Sequence, residues 1–224
     1  MPTRTWMSWS SGKDSAWALH RLRADPDVEL VGLLTTFNAA AGRVAMHGVR
    51  VELARAQADA LGLPLIEVLL PYPCSNEEYA ARMSEACARA QADGVQAFAF
   101  GDLHLADLRA WREQQLAQVG LRALFPLFGA PSHSLARARE MMDGGLRATL
   151  SVVDLKVLPA EFAGRVWEPA LLADLPPGVD PCGENGEFHT LCTEGPMFAR
   201  PLRVQVGERV ERDGFCFVEL TPTG

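Results

Sequence analysis

Short apolar runs alternate with longer stretches of helical periodicity over the first half of the chain. Trp6, Met7 and Trp9 fall in a run at 5–9, and comparable runs recur at 30–35, 65–70, 97–100 and 123–127. Apolar runs of this length, bounded by Gly, Pro or polar residues, read as buried strands. Between them the apolar positions move three and four apart, as with Ala16, Leu19 and Leu22, and predict helices over 14–23, 49–61, 77–93 and 108–119. Gly62 and Gly94 stand where the second and third helices need a left-handed terminating residue. Asn76 followed by Glu77 and Glu78 reads as an N-cap with an acidic first turn. Strand and helix in regular alternation predict an α/β fold, with a parallel five-stranded sheet, helices on both faces and strand order 3-2-1-4-5.

Beyond about residue 128 the pattern loosens. A helix from Ser132 through Met142, a strand at 150–153 and a hairpin of 202–206 with 215–220 are separated by loops rich in Pro and Gly. The expected organisation is a first unit at 1–128 and a smaller mixed α+β lobe at 129–224.

Composition narrows the setting. Hydrophobic residues make up 48% of 224, ample for a core, and the formal charge of −7 argues against a nucleic-acid partner. No apolar run reaches the roughly 20 residues of a membrane span, and no signal peptide is recognisable. Five cysteines without a C-x-x-C pair read as reduced thiols, which fits a cytoplasmic setting. There are two lysines, Lys13 and Lys156, against nineteen arginines. A lysine retained at Lys13 therefore stands out, because an ammonium fits a phosphate pocket differently from a guanidinium.

Lys13 sits in the most chemically suggestive stretch, Ser10, Ser11, Gly12, Lys13, Asp14 and Ser15, between the first strand and the first helix. Small residues at a helix N-terminus let an anion approach unpaired N–H groups and the positive end of the helix dipole. The stretch reads as a polyphosphate cradle, though neither G-x-x-x-x-G-K-[ST] nor G-x-G-x-x-G is present. Asp14 among phosphates makes sense as a Mg²⁺ ligand or as a cap. The switch-point rule brings the loop after the fourth strand, Gly101 and Asp102, opposite this cradle. A second polar constellation comprises Glu184, Asn185, Gly186, Glu187, His189 and Thr190. Within it, Glu187 and His189 are expected on one strand face, where such a pair relays protons. His47, at the start of the second helix, is within reach of a nucleotide or is a surface residue; both readings stay open.

Ser10-Ser11-Gly12-Lys13-Asp14-Ser15 resembles the PP-loop of the ATP pyrophosphatases. Gly101-Asp102-Leu103, Met46-His47-Gly48-Val49 and Gly183-Glu184-Asn185-Gly186-Glu187-Phe188-His189-Thr190 are similar to further motifs of the diphthine–ammonia ligase family, in its bacterial branch. The resemblance spans nearly the whole chain and implies a HUP-type, Rossmann-like ATP-binding domain with a family-specific C-terminal lobe. It further implies a ligase that cleaves ATP to AMP and pyrophosphate through an acyl-adenylate, with ammonia displacing AMP to give an amide. On this reading Ser10, Ser11, Gly12, Lys13, Asp14, Ser15, Thr35 and His47 bind the nucleotide. Gly101, Glu184, Asn185, Gly186 and Thr190 contact substrate, Lys13, Asp102, Glu187 and His189 act in catalysis, and Asp14 holds Mg²⁺. The expected partners are ATP, ammonia and a carboxylate acceptor of unassigned identity; a homodimer stays open. Two other functions compete: a PP-loop tRNA-thiolating enzyme, and a nucleotide sensor without turnover. Ser11 replaces the family's usual glycine, which is easily tolerated only where φ is negative. His189 stands where ligase members often carry an acidic residue.

Overall fold

A computed structural model describes residues 1–223. The first part of the chain runs β1 (Thr3–Ser8), α1 (Lys13–Arg23), β2 (Val28–Asn38), β3 (Arg43–Val44), α2 (Val51–Leu61), β4 (Leu65–Leu70), α3 (Asn76–Ala92), β5 (Ala97–Ala99), α4 (Ala106–Gln118) and β6 (Arg122–Leu124). The five main strands are parallel and lie in the order β4-β2-β1-β5-β6, the expected order of the five predicted strands. The unforeseen β3 adds a short antiparallel contact, pairing Val44 with Phe37 near the end of β2. Two residues are too few to leave a period in the sequence.

Alternation along the strands divides the core. Met7, Leu33, Phe37 and Ala99 face α1 and α2, while Trp6, Leu34, Ile66, Val68 and Phe98 face α3 and α4 through Ala86, Cys87, Ala90 and Leu116. Trp6 and Phe98 stack across neighbouring strands at 5.8 Å. The second face is an ordinary helix layer, but the first carries more.

The chain continues through α5 (Ser134–Asp143), β7 (Arg147–Asp154), α6 (Pro169–Asp174), β8 (Phe188–Glu194), β9 (Val204–Arg212) and β10 (Phe215–Pro222). The last four strands form an antiparallel sheet ordered β8-β7-β10-β9. Leu150, Val153, Leu191, Cys192, Cys216 and Val218 of this sheet join the same apolar cluster as α1 and α2. Helix α1 is thereby enclosed, with Lys13, Ser15, Ala16, Trp17, Ala18, Leu19 and Leu22 all buried. That enclosure places the Ser/Gly loop between the two sheets.

Several boundaries differ from the sequence expectation for identifiable reasons. Ser75, not Asn76, caps α3: its Oγ accepts the Glu78 N–H at 3.2 Å and Glu78 Oε2 accepts the Ser75 N–H at 3.0 Å, a capping box. The helix expected from Ser132 begins at Ser134, after a 3-10 turn over Pro131–His133. The strand expected at 202–206 is β9, displaced to Val204–Arg212; it is exposed and polar, so no alternation marks it. Helix α6 was not foreseen, its six residues being too short for a period.

Candidate active site

The loop after β1 is shaped by what encloses it. The first helical bond of α1 runs from the Ala16 N–H to the Gly12 carbonyl, so the N–H groups of Gly12, Lys13, Asp14 and Ser15 fall outside the ladder. Side chains take two of them: Ser10 Oγ accepts from Gly12 at 3.4 Å, and Thr190 Oγ1 of β8 accepts from Lys13 at 3.1 Å. Asp14 and Ser15 line a cavity of about 210 Å³ together with Ser10, Gly12, Gly101, Asp102, Glu184 and His189. This is the positive end of a helix opening into a recess at the carboxyl ends of β1 and β5.

Glycine is required where backbones touch. A Cβ on Gly101 would lie 2.7 Å from Asp14 C and Ser15 N, so only glycine lets the loop after β5 press against the first turn of α1. A Cβ on Gly12 would stand 3.2 Å from the Thr190 carbonyl oxygen, which fixes how near β8 comes to the loop.

Ser11 does not meet the condition for easy replacement of glycine: it sits at φ +69°. Its carbonyl is turned to accept the Cys192 N–H at 2.9 Å and Gln57 Nε2 at 3.0 Å, and its buried Oγ has no partner. Gln57 of α2 also donates to the Cys192 carbonyl and accepts from Trp9 Nε1, so one buried amide ties the loop, α2 and β8 together. Sequence reading missed Gln57. Its only trace is a polar residue on the otherwise buried side of α2, beside Leu53, Ala54 and Ala58.

Lys13 turns its ammonium away from open solvent. It donates to Asp14 Oδ2 at 2.7 Å and to the Cys182 carbonyl, and lies 5.2 Å from the Trp167 ring and 5.5 Å from that of Phe188. Burial opposes its charge, yet the Asp14 carboxylate outweighs that, and its pKa is raised. Asp14 itself is pushed up by burial against the pull of Lys13, and its Oδ1 is buried without a partner.

Three further carboxylates have distinct fates. Asp102 forms a close ion pair with Arg112, 2.8 Å from Oδ2 to Nε, and Arg112 lies 4.3 Å from the Phe100 ring. Burial nonetheless raises the Asp102 pKa. Glu184 accepts the Leu103 and His104 N–H groups at 2.7 and 3.3 Å on Oε1, while burial, then Asp14, lift it to about 7. Glu187 does not line the cavity with His189. Its carboxylate accepts from Asp180 N, Asn185 N and Asn185 Nδ2, each at 3.0 Å, and so fixes the loop before β8.

That geometry corrects the catalytic assignment of Glu187, whose oxygens serve a buried turn. Asn185 is likewise spent on Glu187. Thr35 is also outside the cavity: its hydroxyl, buried, donates to the Trp9 carbonyl at 2.8 Å and closes the end of β1 onto β2. Gly186, His189 and Thr190 do reach the cavity. His47 is held there too, following Met46 at φ +65° and preceding Gly48 at φ +65°, with its ring 4.3 Å from that of His189. Burial holds both imidazoles neutral, with His189 lowered to about 4 and His47 well below its ordinary value. Arg112, which neutralises Asp102, was also missed; a lone Arg on an exposed helix gives no signal of its own.

No three His, Cys, Asp or Glu side chains among the described residues converge as a metal site. No helix there is long and apolar enough to cross a membrane. All five cysteines are free thiols, and burial raises Cys182 to about 12 and raises Cys192 as well.

The parallel sheet with a tight Ser/Gly loop at its switch point, closed by an antiparallel sheet, defines a doubly wound α/β protein with an anion-type loop. The model of the diphthamide synthase N-terminal domain matches residues 3–123, and that of the diphthamide synthase C-terminal domain matches residues 134–221. The chain belongs to the diphthamide synthase family, in agreement with the motif resemblance. No curated protein matches it.

Proposed function

We propose that the chain is an ATP-dependent, AMP-forming ligase that amidates a carboxylate with ammonia. The observation carrying this reading is the cavity shared by the α1 N-terminus, the 10–15 loop and β8. It offers helix donors to a polyphosphate and, beside them, titratable groups suited to a second step. In the first step an acceptor carboxylate oxygen attacks the α-phosphorus, the bond to the β-phosphate breaks, and pyrophosphate leaves. Ammonia then attacks the acyl carbon, AMP departs, and the nitrogen gives up one proton. Glu184, poised near neutrality, is the group suited to take it, while the neutral imidazoles of His189 and His47 can offer hydrogen bonds to the reacting groups.

Magnesium fits this donor set. Asp14 Oδ1 is a buried, unpartnered hard oxygen, and Asp102 and Glu184 line the same cavity. Such an ion would be held by Asp14 with phosphate oxygens completing its shell, and would supply neutralisation of developing phosphate charge. Thiolation is disfavoured, because the two cysteines packed beside Lys13 and β8 are kept as buried thiols.

The test combines the protein with ATP, Mg²⁺, ¹⁵N-ammonium and a cell extract as the source of acceptor. AMP and pyrophosphate should form with ¹⁵N entering an amide, and Lys13→Ala should abolish the incorporation. ADP as the product would overturn cleavage at the α–β position.

A further inference from the structure

The edge strand β9 has no role in the cavity, and it carries an unusual pattern. It lies at the margin of the second sheet, paired only with β10 and bulged at Gly207 and Glu208, and its residues from 205 to 212 are exposed. Outside that ladder, no hydrogen bond among the described residues uses a β9 backbone group. Alternate residues of an antiparallel strand turn their N–H and C=O groups to opposite sides, so half of those of β9 face outward unpaired. Val206 and Val210 add exposed apolar side chains, 46% and 57% accessible.

We propose that β9 is a homodimer interface, pairing antiparallel with β9 of a second copy about a two-fold axis through Val210. The charge order of the strand argues for that occupant and that register. Residues 208–212 read Glu-Arg-Val-Glu-Arg. Facing side chains of paired strands share one face of the sheet, so a two-fold axis perpendicular to it must set one residue against itself.

With the axis at Val210, Val210 meets Val210, Glu208 meets Arg212 of the second copy, and Arg209 meets its Glu211. By symmetry, four opposite-charge pairs form around an apolar centre. An axis at Arg209 or at Glu211 sets like charges against each other, and so does one at Glu208. The axes at Arg209 and Glu211 also leave Val210 opposite a charged residue. Among these axes, only the one at Val210 sets every charge from 208 to 212 against its opposite.

The neighbouring structure favours the same arrangement. The hairpin is tight, with Asp213 and Gly214 both at positive φ (+54° and +82°), and Arg209–Arg212 pair in regular register with β10, the strand bulging only beyond them at Gly207 and Glu208. Arg209 is anchored by donating Nε to the Ala163 carbonyl at 2.9 Å, and Arg212 lies 5.3 Å from the Phe217 ring. Arg209 also donates to the Glu161 carbonyl and Arg212 lies 3.6 Å from Asp213, so both guanidinium groups have fixed neighbours before a partner arrives. Pairing would join the two four-stranded sheets into one of eight and leave both cavities open.

Sedimentation velocity on the full chain, up to about 0.1 mM, tests this. The wild type is expected to form a dimer that weakens with added salt. Two charge-reversed variants, Glu208→Arg with Glu211→Arg and Arg209→Glu with Arg212→Glu, should each sediment as monomers, with circular dichroism spectra like the wild type. Mixed in equal amounts they should restore the dimer, an outcome that simple loss of folding cannot produce. A monomeric wild type over the whole range would overturn the proposal, as would a dimer that both variants retain or a mixture that stays monomeric.

Discussion

Replacing Glu184 by glutamine separates the charge of this side chain from its hydrogen bonds. Glu184 Oε1 accepts the N–H groups of Leu103 and His104, and a glutamine carbonyl in the same place can accept both. What the substitution removes is the buried charge. Lifting the carboxyl from its ordinary 4.5 to about 7 corresponds to about 3 kcal/mol between its protonation states, and nearer 2 kcal/mol once partial solvent screening is allowed for.

Because the folded value lies above the unfolded one, the fold favours the neutral acid. Its contribution is complete below the unfolded pKa, falls as pH rises from about 4.5 to about 7, and is flat above that. Glu184→Gln should therefore match the wild type at pH 4 and exceed it by about 2–3 kcal/mol at pH 8. Urea unfolding at both pH values, followed by the fluorescence of the five tryptophans, gives the two differences directly. Titrating groups remote from Glu184 cancel between the two proteins. An equal difference at both pH values, or a less stable variant at pH 8, would refute the idea that the cavity works against this charge.

Three further outcomes follow from the same geometry. Ser11→Gly should raise the thermal midpoint, because glycine takes φ +69° without a Cβ conflict and the unpartnered buried hydroxyl disappears; the gain is up to about 1 kcal/mol after the entropy of glycine, and a lower midpoint would deny strain at this residue. Gln57→Leu removes one acceptor and two donated bonds from a buried knot and should cost about 2–4 kcal/mol in urea unfolding; a cost under about 1 kcal/mol would show that the knot does not hold β8 to the loop. Metal-free ATP should bind more tightly at pH 6 than at pH 8 in calorimetry, by up to about tenfold per pH unit, since its charge favours proton uptake at Glu184; Glu184→Gln should flatten that slope.

The sequence made legible those features that have a period or sit at a chain landmark. Short apolar runs such as 5–9 and 30–35 alternate with helical stretches, and that alternation was enough to predict the parallel sheet, its order and its two helical faces. The Ser/Gly loop was readable because it separates the first strand from the first helix. What escaped prediction depends on contacts between distant segments. Glu187 looks catalytic in the sequence because its neighbours are polar, yet three donors from its own loop occupy it. Thr35 looks well placed at a strand end, and its hydroxyl is taken by the Trp9 carbonyl. Gln57 and Arg112 gain their importance only when β8 and the loop after β5 arrive beside them.

The cavity's charges explain why those late arrivals matter. Asp14 is matched by Lys13, Asp102 by Arg112, and Glu184 sits near half-protonation, so the recess is close to neutral rather than strongly acidic. The end of α1 then contributes the equivalent of about half a positive charge at its mouth. An anion is admitted under these conditions because Asp14 and Asp102 are each matched by a cation and Glu184 is held near half-protonation. Lys13 is tied to the carbonyl of Cys182 and Glu184 to the loop after β5, so the electrostatics of the first sheet depend on the docking of the second. The loop by itself would be a generic anion site; enclosed by β8 and the loop before it, it sets an anion-binding helix end beside Glu184, a carboxyl that can exchange a proton at neutral pH.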